Sequence, residues 1–202
     1  MDITIKYLGR VEYEPTWRAM QDFTAARDES TPDELWLLEH PPVFTLGQAG
    51  KREHLLQATD IPVVAIDRGG QITYHGPGQI VIYVLVDLKR RGYGVKELVS
   101  RMEQAVIDLL AQSGVAAERS PGAPGVYVNG AKIAALGLRI KQGRSYHGLA
   151  LNVDMDLAPF ALINPCGYPG MAVTQTRDLG VAGNAEELGK KLLALLARKI
   201  VA

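Results

Sequence analysis

The chain begins with a two-residue alternation of apolar and polar positions, which then changes to helical spacing. The alternation predicts a strand, whose apolar positions are Ile3, Ile5 and Tyr7. The helical spacing predicts a first helix, whose inward positions are Tyr13, Trp17, Met20 and Thr24. A longer apolar stripe that ends before Gly114 predicts a helix over residues 95–112. A last helix is predicted to start at Asn184, with Glu187 completing a capping box.

Short apolar runs between these helices predict the remaining strands. They cover residues 35–38, 43–46, 63–66 and 79–86, and the last run is almost wholly apolar, which indicates a strand covered on both faces. Asn129-Gly130 predicts a hairpin turn, and a second turn is expected at residues 141–144. The pattern therefore predicts one α/β (α+β) domain over residues 1–202, with a mixed β-sheet packed with helices.

The composition of the chain argues against several classes of function. The 202 residues carry 22 Lys and Arg against 22 Asp and Glu, so no overall charge favours nucleic acid or an anionic membrane as a partner. The start of the chain lacks the apolar run of a signal peptide, and residues 80–86 are too short to span a bilayer, so a cytoplasmic protein is expected. One cysteine excludes internal disulfides, and the four histidines lack metal-ligand spacing. We expect no metal and no cofactor.

Four glycines and a proline concentrate in residues 68–79, between two predicted strands. Such a segment is costly in chain entropy unless its backbone adopts special dihedral angles or touches a ligand closely. It contains neither a Walker A pattern nor Gly-x-Gly-x-x-Gly, so a phosphate loop is not predicted. We favour a backbone that lines a substrate site, and the alternative is a tight turn with a bulge.

Two reactive side chains stand out. Cys166 lies in a turn between Pro165 and Gly167, where partial exposure would suit a nucleophile, although a lone cysteine can equally be a buried structural residue. Strand alternation after the hairpin turn places Lys132 on the more apolar face, with Ala134 and Leu136. A charged amine there is costly unless it is paired, has a depressed pKa or reaches water at the end of the strand. A lysine beside a thiol would lower the pKa of that thiol and could move protons.

Among the histidines, only His75, inside the glycine segment, is placed at a site; spacing leaves open a hydrolase pairing of His75 with Cys166.

Five segments occur in an order that resembles a known family. They read LLEHPPVFTLG, RGGQITYHGPGQIVIY, NGAKIAALGLRI, HGLALNV and INPCGY. In this order they resemble the octanoyltransferases of lipoate biosynthesis, and the resemblance extends over nearly the whole chain. It implies the catalytic fold shared with biotin- and lipoate-protein ligases, and the transfer of an octanoyl group through a cysteine thioester.

The resemblance also implies a set of site residues. Cys166 is the implied acyl-accepting nucleophile, and Lys132 is the partner that lowers its pKa. The implied acyl-binding residues are Arg68, Gly69, Gly70, Gln71, Ile72, Thr73, Tyr74, His75, Ala135, Leu136, Gly137, Gly148, Leu149 and Ala150. Position 135 often carries serine in this family, so the alanine here removes any hydroxyl contact and leaves backbone contacts unaffected.

The implied donor is octanoyl-acyl carrier protein. The implied acceptors are lipoyl domains, in the E2 subunits of 2-oxoacid dehydrogenases and in the glycine cleavage H protein. Three alternatives remain: an ATP-dependent lipoate or biotin ligase, a cysteine thioesterase, and a carrier-binding module without catalysis. Since acyl carrier proteins are acidic, a local basic patch is expected to dock the donor. The candidate groups are Lys89-Arg90-Arg91 and the set Arg139, Lys141 and Arg144.

Overall fold

A seven-stranded mixed sheet forms the centre of the computed structural model, which describes residues 3–164 and 170–201. The strands are β1 (Ile3–Arg10), β2 (Asp33–Glu39), β3 (Val43–Leu46), β4 (Val63–Ala65), β5 (Ile72–His75), β6 (Gln79–Leu85), β7 (Glu118–Arg119), β8 (Gly125–Val128), β9 (Ala131–Lys141) and β10 (Arg144–Asn152). Seven of them lie in the order β1-β2-β6-β10-β9-β8-β7, and β1 runs parallel to β2 while the other neighbours are antiparallel. The predicted mixed sheet is confirmed.

A second, smaller sheet carries the glycine segment. It has the order β4-β3-β5, in which β4 is parallel and β5 antiparallel to β3. Phe44 and Tyr74 pair across β3 and β5, and both side chains are buried in a separate apolar cluster with Phe160. The glycine segment therefore runs from this small sheet directly into the central strand β6.

Helices cover both faces of the large sheet. They are α1 (Tyr13–Ala26), α2 (Leu88–Arg91), α3 (Val95–Ala111) and α4 (Ala185–Val201), with 3-10 helices at Arg52–His54, Ala158–Leu162 and Arg177–Leu179. On one face, Met20 of α1 packs against Val81 and Tyr83 of β6. On the other face, α3 and α4 bury side chains such as Met102 and Leu192 against the even-numbered residues of β6. Every residue of β6 is buried, which confirms the prediction that this strand is covered on both faces.

The predicted helix ends are also confirmed. Asn184 Oδ1 accepts a hydrogen bond from the Glu187 backbone N–H, and the Glu187 carboxylate accepts one from the Asn184 N–H, which forms the capping box. Gly114 adopts φ +75° just after α3, as expected for a residue that closes a helix. Among the helices described, none combines the length and apolar composition that crossing a bilayer requires.

A buried cluster of charged side chains joins β2 to α2. It revises the expectation that residues 89–91 form a basic docking patch. Asp33 is fully buried and accepts hydrogen bonds from Arg27 (2.6 Å), Arg90 (2.6 Å) and Arg91 (2.7 Å). Burial opposes ionisation, but a hydrogen bond from the Asp87 backbone N–H (2.9 Å) and the three guanidiniums together lower the pKa of the Asp33 carboxyl. Arg90 and Arg91 therefore hold the fold together and are poor candidates for a freely exposed docking patch, which leaves Lys89 as the exposed member of that group.

Candidate active site

A cavity opens where the glycine segment meets β6, β9 and β10. The predicted acyl-binding residues that line it are Arg68, residues 70–73, His75, residues 135–137 and residues 148–150. The pairing register explains their convergence, because Ala150 lies opposite both Val81 of β6 and Ala135 of β9. Three sequence segments that the resemblance singled out thus meet around one space.

Two predicted residues, Gly69 and Tyr74, do not line this cavity. The Gly69 backbone N–H donates to the Leu138 carbonyl (2.9 Å) and so attaches the glycine segment to β9. The Tyr74 ring lies 5.4 Å from that of Phe44 and 5.5 Å from that of Phe160, within the core of the small sheet. The structure gives both residues contacts that support the cavity wall.

Four further residues line the cavity and were not among the sequence-based candidates. They are Tyr13, Val81, Tyr83 and His147. Tyr13 comes from the start of α1, and the other three come from β6 and β10, where alternation could have placed Val81 and Tyr83 on a common face. The pairing of β6 with β10, which determines what that face meets, is not readable from local pattern.

The two halves of the glycine segment differ in what they do. Gly70 has φ +84° and lines the cavity, and its carbonyl accepts a hydrogen bond from Ala49 N–H (3.1 Å). Gly78 has φ +83°, and a Cβ there would lie 1.9 Å from the Asp154 carbonyl oxygen. The first half therefore presents backbone to the cavity, whereas the second half is the tight turn of the alternative interpretation.

Arg68 fixes the start of this segment against β3. Its guanidinium donates to the Thr45 carbonyl (2.8 Å) and the Thr45 Oγ1 (2.9 Å), and also to the carbonyl of Gly69 (3.0 Å). The residue is 9 % exposed, so the charge is held by these protein acceptors. Arg68 thereby sets the position of the neighbouring glycine backbone.

Asp67 joins α1, the glycine segment and β10. Its carboxylate accepts hydrogen bonds from Trp17 Nε1 (2.9 Å), Gln21 Nε2 (3.1 Å), His147 Nε2 (2.9 Å) and the Tyr146 hydroxyl. These donors lower the pKa of the Asp67 carboxyl although burial opposes them. Because its Nε2 donates to Asp67, His147 is held in one orientation at the cavity wall.

The histidines near the cavity are buried and neutral. Burial lowers the pKa of His75 to about 3 and that of His40 to about 4. His40 Nδ1 lies 2.7 Å from the Val11 carbonyl, to which it must donate, so its Nε2 accepts from the Tyr83 hydroxyl at 2.6 Å. The wall formed by Tyr83 and His75 therefore carries no histidine charge at neutral pH.

Lys132 lies on the opposite face of the sheet from the one predicted. Tyr127 pairs with Lys132 and Val126 with Ala134, so Ile133 is the extra residue of a β-bulge. The bulge reverses the alternation, and Lys132 shares its face with Ala135, whose neighbours line the cavity. Local periodicity assumes regular pairing and could not reveal this shift.

The Lys132 side chain is buried beside Tyr127 of the same hairpin. It is 4 % exposed, which rules against an ammonium that reaches water, and its Nζ lies 5.3 Å from the centre of the Tyr127 ring. Its backbone pairs with the segment that follows residue 170: Lys132 N–H donates to Ala172 O (2.8 Å), and Thr174 N–H donates to Lys132 O (3.0 Å). Cys166 lies outside the described residues.

Residues 12–197 match the family model for the lipoyl protein ligase A/B catalytic domain. An octanoyltransferase of Thiobacillus denitrificans is 73 % identical over 198 residues, which cover 98 % of this chain and 91 % of the relative. An octanoyltransferase of Dechloromonas aromatica is 62 % identical over 99 % of this chain and 98 % of its own length. The chain belongs to the octanoyltransferases of the lipoyl protein ligase A/B family. It is a transferase of lipoate biosynthesis.

Solved structures match the fold at much lower identity. A bipartite lipoate protein ligase from Thermoplasma acidophilum has a TM-score of 0.74 at 15 % identity, over 98 % of this chain and 84 % of that one. A biotin protein ligase from Aquifex aeolicus has a TM-score of 0.59 at 11 % identity, over 98 % and 69 % of the two chains. The expected ligase-like catalytic fold is confirmed. Within residues 3–164 and 170–201, no His, Cys, Asp and Glu side chains gather into a group of three that could hold a metal ion.

Proposed function

We propose that this enzyme takes the octanoyl group from octanoyl-acyl carrier protein onto Cys166 and passes it to a lysine of a lipoyl domain. The observation that carries the proposal is the convergence of the glycine segment with residues 135–137 and 148–150 around one cavity. The high identity to octanoyltransferases over nearly the full chain supports the same acyl group.

The cavity wall suits an apolar acyl chain. Val81, Tyr83 and Ala150 line the cavity and belong to the apolar cluster on the α1 face of the sheet, and the glycines allow close approach of the backbone. Burying each methylene of the chain contributes about 0.8 kcal/mol. The neutral histidines add no charge that an apolar chain would have to desolvate.

The first half-reaction forms the acyl-enzyme. The Cys166 thiolate adds to the thioester carbonyl of the donor, and the bond between that carbonyl carbon and the carrier's sulfur breaks. The carrier leaves as a thiolate and takes up the proton of the Lys132 ammonium, which leaves Lys132 neutral for the second half-reaction. One thioester replaces another, so the step needs no ATP.

Lys132 is the proposed partner of Cys166. Its backbone is hydrogen-bonded on both sides to Ala172 and Thr174, which follow Cys166 by six and eight positions in the sequence. A lysine ammonium close to a thiol favours the thiolate. The bulge that places Lys132 on the same face as Ala135 supports this assignment, because that face borders the acyl cavity.

The second half-reaction releases the product. The neutral amine of the acceptor lysine attacks the acyl-enzyme carbonyl, and the bond from that carbon to the sulfur of Cys166 breaks. An amide forms, the thiolate is regenerated, and the proton lost by the attacking amine passes to neutral Lys132 acting as general base.

Intact mass spectrometry after incubation with octanoyl-acyl carrier protein tests the proposal. We expect an octanoyl adduct on the wild-type enzyme, none on Cys166→Ala, and loss of the adduct when a lipoyl domain is added. Free octanoate as the main product would favour a thioesterase. Octanoylation of the lipoyl domain that requires ATP and free octanoate would favour a ligase. Transfer retained by Cys166→Ala would contradict the cysteine mechanism.

A further inference from the structure

Two buried amide side chains, Gln79 and Asn152, face each other across β6 and β10. They are 2 % and 5 % exposed, they pair in the strand register, and Gln79 Nε2 donates to Asn152 Oδ1 at 2.9 Å. Neither lines the acyl cavity. Buried amides are costly unless their polar atoms are satisfied, so this pair is a specific feature of the fold.

Two backbone carbonyls fix the direction of every hydrogen bond in this pair. A carbonyl oxygen can only accept, so Gln79 must present Nε2 to the Tyr74 carbonyl (3.2 Å), and Asn152 must present Nδ2 to the Thr174 carbonyl (3.0 Å). The Gln79 Oε1 then faces His75 Nδ1 at 2.8 Å. The Tyr74 and Thr174 carbonyls thus determine the orientation of both side-chain amides.

One end of the pair therefore selects a single tautomer of His75. Gln79 Oε1 accepts, so His75 Nδ1 must carry the proton, and Nε2 is left as the acceptor of the neutral ring. The His75 ring is stacked on that of Tyr13 at 5.9 Å, and both residues line the cavity. Gln79 thus determines which nitrogen of a cavity histidine can accept a hydrogen bond.

The other end of the pair holds the segment that contacts Lys132. Asn152 binds the Thr174 carbonyl through its side chain and accepts from Thr176 N–H (3.1 Å) through its own carbonyl. The same segment donates from Thr174 N–H to the carbonyl of Lys132. Asn152 and Lys132 thus both form hydrogen bonds with residues 172–176, from two sides of that segment.

We propose that Gln79 and Asn152 are positioning residues, which act as one unit to fix the tautomer of His75 and to hold residues 172–176 against Lys132 during acyl transfer. The proposal rests on the proposed function for its effect on rate. Since both residues are buried and neither lines the cavity, their loss should lower the rate constant of both half-reactions and leave the KM for the carrier unchanged.

The test compares Gln79→Met, Asn152→Leu and the double variant in single-turnover acylation and acceptor-chase assays. We expect each single variant to be about 10- to 100-fold slower, as for a displaced catalytic group. The double variant should be no slower than the worse single variant, because residues that act as a unit are not additive. Asn184→Ala, which removes the cap of a distant helix, is the control for lost stability and should keep the wild-type rates.

Two further measurements test the positioning role without relying on enzyme turnover. ¹⁵N NMR of His75 should show a protonated Nδ1 and an unprotonated Nε2 in the wild type, and loss of that preference in Gln79→Met. Hydrogen exchange at Thr174 N–H should be faster in Asn152→Leu and unchanged in Asn184→Ala. If the apolar variants do not fold, Gln79→Glu and Asn152→Asp replace them. Gln79→Glu retains the acceptor for His75 but loses the donor to Asn152, so it should keep the tautomer and speed exchange at Thr174.

Wild-type rates in the single variants, additive losses in the double variant, or equal slowing by Asn184→Ala would each overturn the positioning role. An Nε2-protonated His75 in the wild type would overturn the tautomer assignment. If the wild-type enzyme itself formed no octanoyl adduct, the proposed function would fail. The positioning of Thr174 would then be judged by exchange alone, and unchanged exchange in Asn152→Leu would overturn it.

Discussion

Lowering the pH from 7 to 5 should destabilise this enzyme strongly, because three histidines are buried in neutral form around the cavity. His40, His75 and His147 are at most 8 % exposed, and burial is the main cause of the lowered pKa of each. When folding lowers the pKa of a histidine, the folded state has its full stability only at a pH above the unfolded pKa, where the ring is neutral in both states. For these histidines that stability is lost as the pH falls below about 6.5.

The size of the loss follows from the pKa values of His75 and His40. At pH 5 an unfolded histidine with a pKa of 6.5 is almost fully protonated, whereas His75 and His40, with pKa values of about 3 and 4, remain neutral. The difference of about 1.5 pH units below 6.5 corresponds to about 2 kcal/mol for each histidine. These two residues alone should lower the free energy of unfolding by about 4 kcal/mol, and His147 acts in the same direction.

Urea unfolding at pH 7, 6 and 5 measures this loss. Asp67 and Asp33 contribute little to the change between pH 7 and 5. Their carboxyls have a pKa of 3.8 when unfolded and a lower pKa when folded, so they titrate below this range. His75→Gln should flatten the dependence of the free energy on pH, while Asn184→Ala should lower that free energy equally at every pH. A free energy of unfolding that changes by less than about 1 kcal/mol between pH 7 and 5 would refute the reasoning.

Four further results are expected. Lys132→Arg should still acylate Cys166 but pass the acyl group on about 100-fold more slowly in the acceptor-chase assay, because arginine remains protonated; equal losses in both steps would leave only an electrostatic role. Reversal of three basic residues near the β9–β10 turn should raise the KM for the carrier and weaken its salt dependence, and an unchanged KM would exclude this patch. The three changes are Lys89→Glu, Arg139→Glu and Lys141→Glu. Gly70→Val should weaken acyl binding, measured by donor titration, more than it lowers the melting temperature. Gly76→Val should do the reverse, since its Cβ would lie 2.4 Å from the Tyr74 hydroxyl. Shortening the acyl chain by two methylenes should lower kcat/KM about 15-fold, and equal rates for hexanoyl and octanoyl donors would exclude burial of the chain end.

Most helices and strands could be predicted because each one buries a face that its own sequence pattern reveals. The capping box at Asn184 and the fully covered strand β6 are examples. The position of Lys132 could not be predicted, since a one-residue bulge depends on how β8 meets β9. The order of strands in the sheet is likewise a matter of long-range pairing, such as that of β6 with β10, some 70 residues apart.

The proposed acyl-binding segments were predicted from resemblance, whereas the residues that hold them in place were not. Asp67 shows why: it looks like an ordinary charged residue before the glycine segment, yet four donors from α1 and β10 converge on it. The same holds for Gln79 and Asn152, because the structural role of each depends on a hydrogen-bond partner 73 positions away. No local periodicity or composition marks such contacts, which exist only after the sheet has formed.

These supporting contacts suit the proposed binding of an apolar acyl chain beside charged residues. Arg68 is satisfied by Thr45 and Gly69, and Asp67 is satisfied by its four donors, so neither charge depends on water in the cavity. His75 is held neutral by burial and kept in one tautomer by Gln79. In the proposed function, an entering acyl chain therefore displaces little tightly bound water from charged groups, and its binding energy is set by the methylenes that it buries. The same arrangement ties binding to folding, because acid that protonates the histidines would destroy the neutral wall and the stability of the enzyme together.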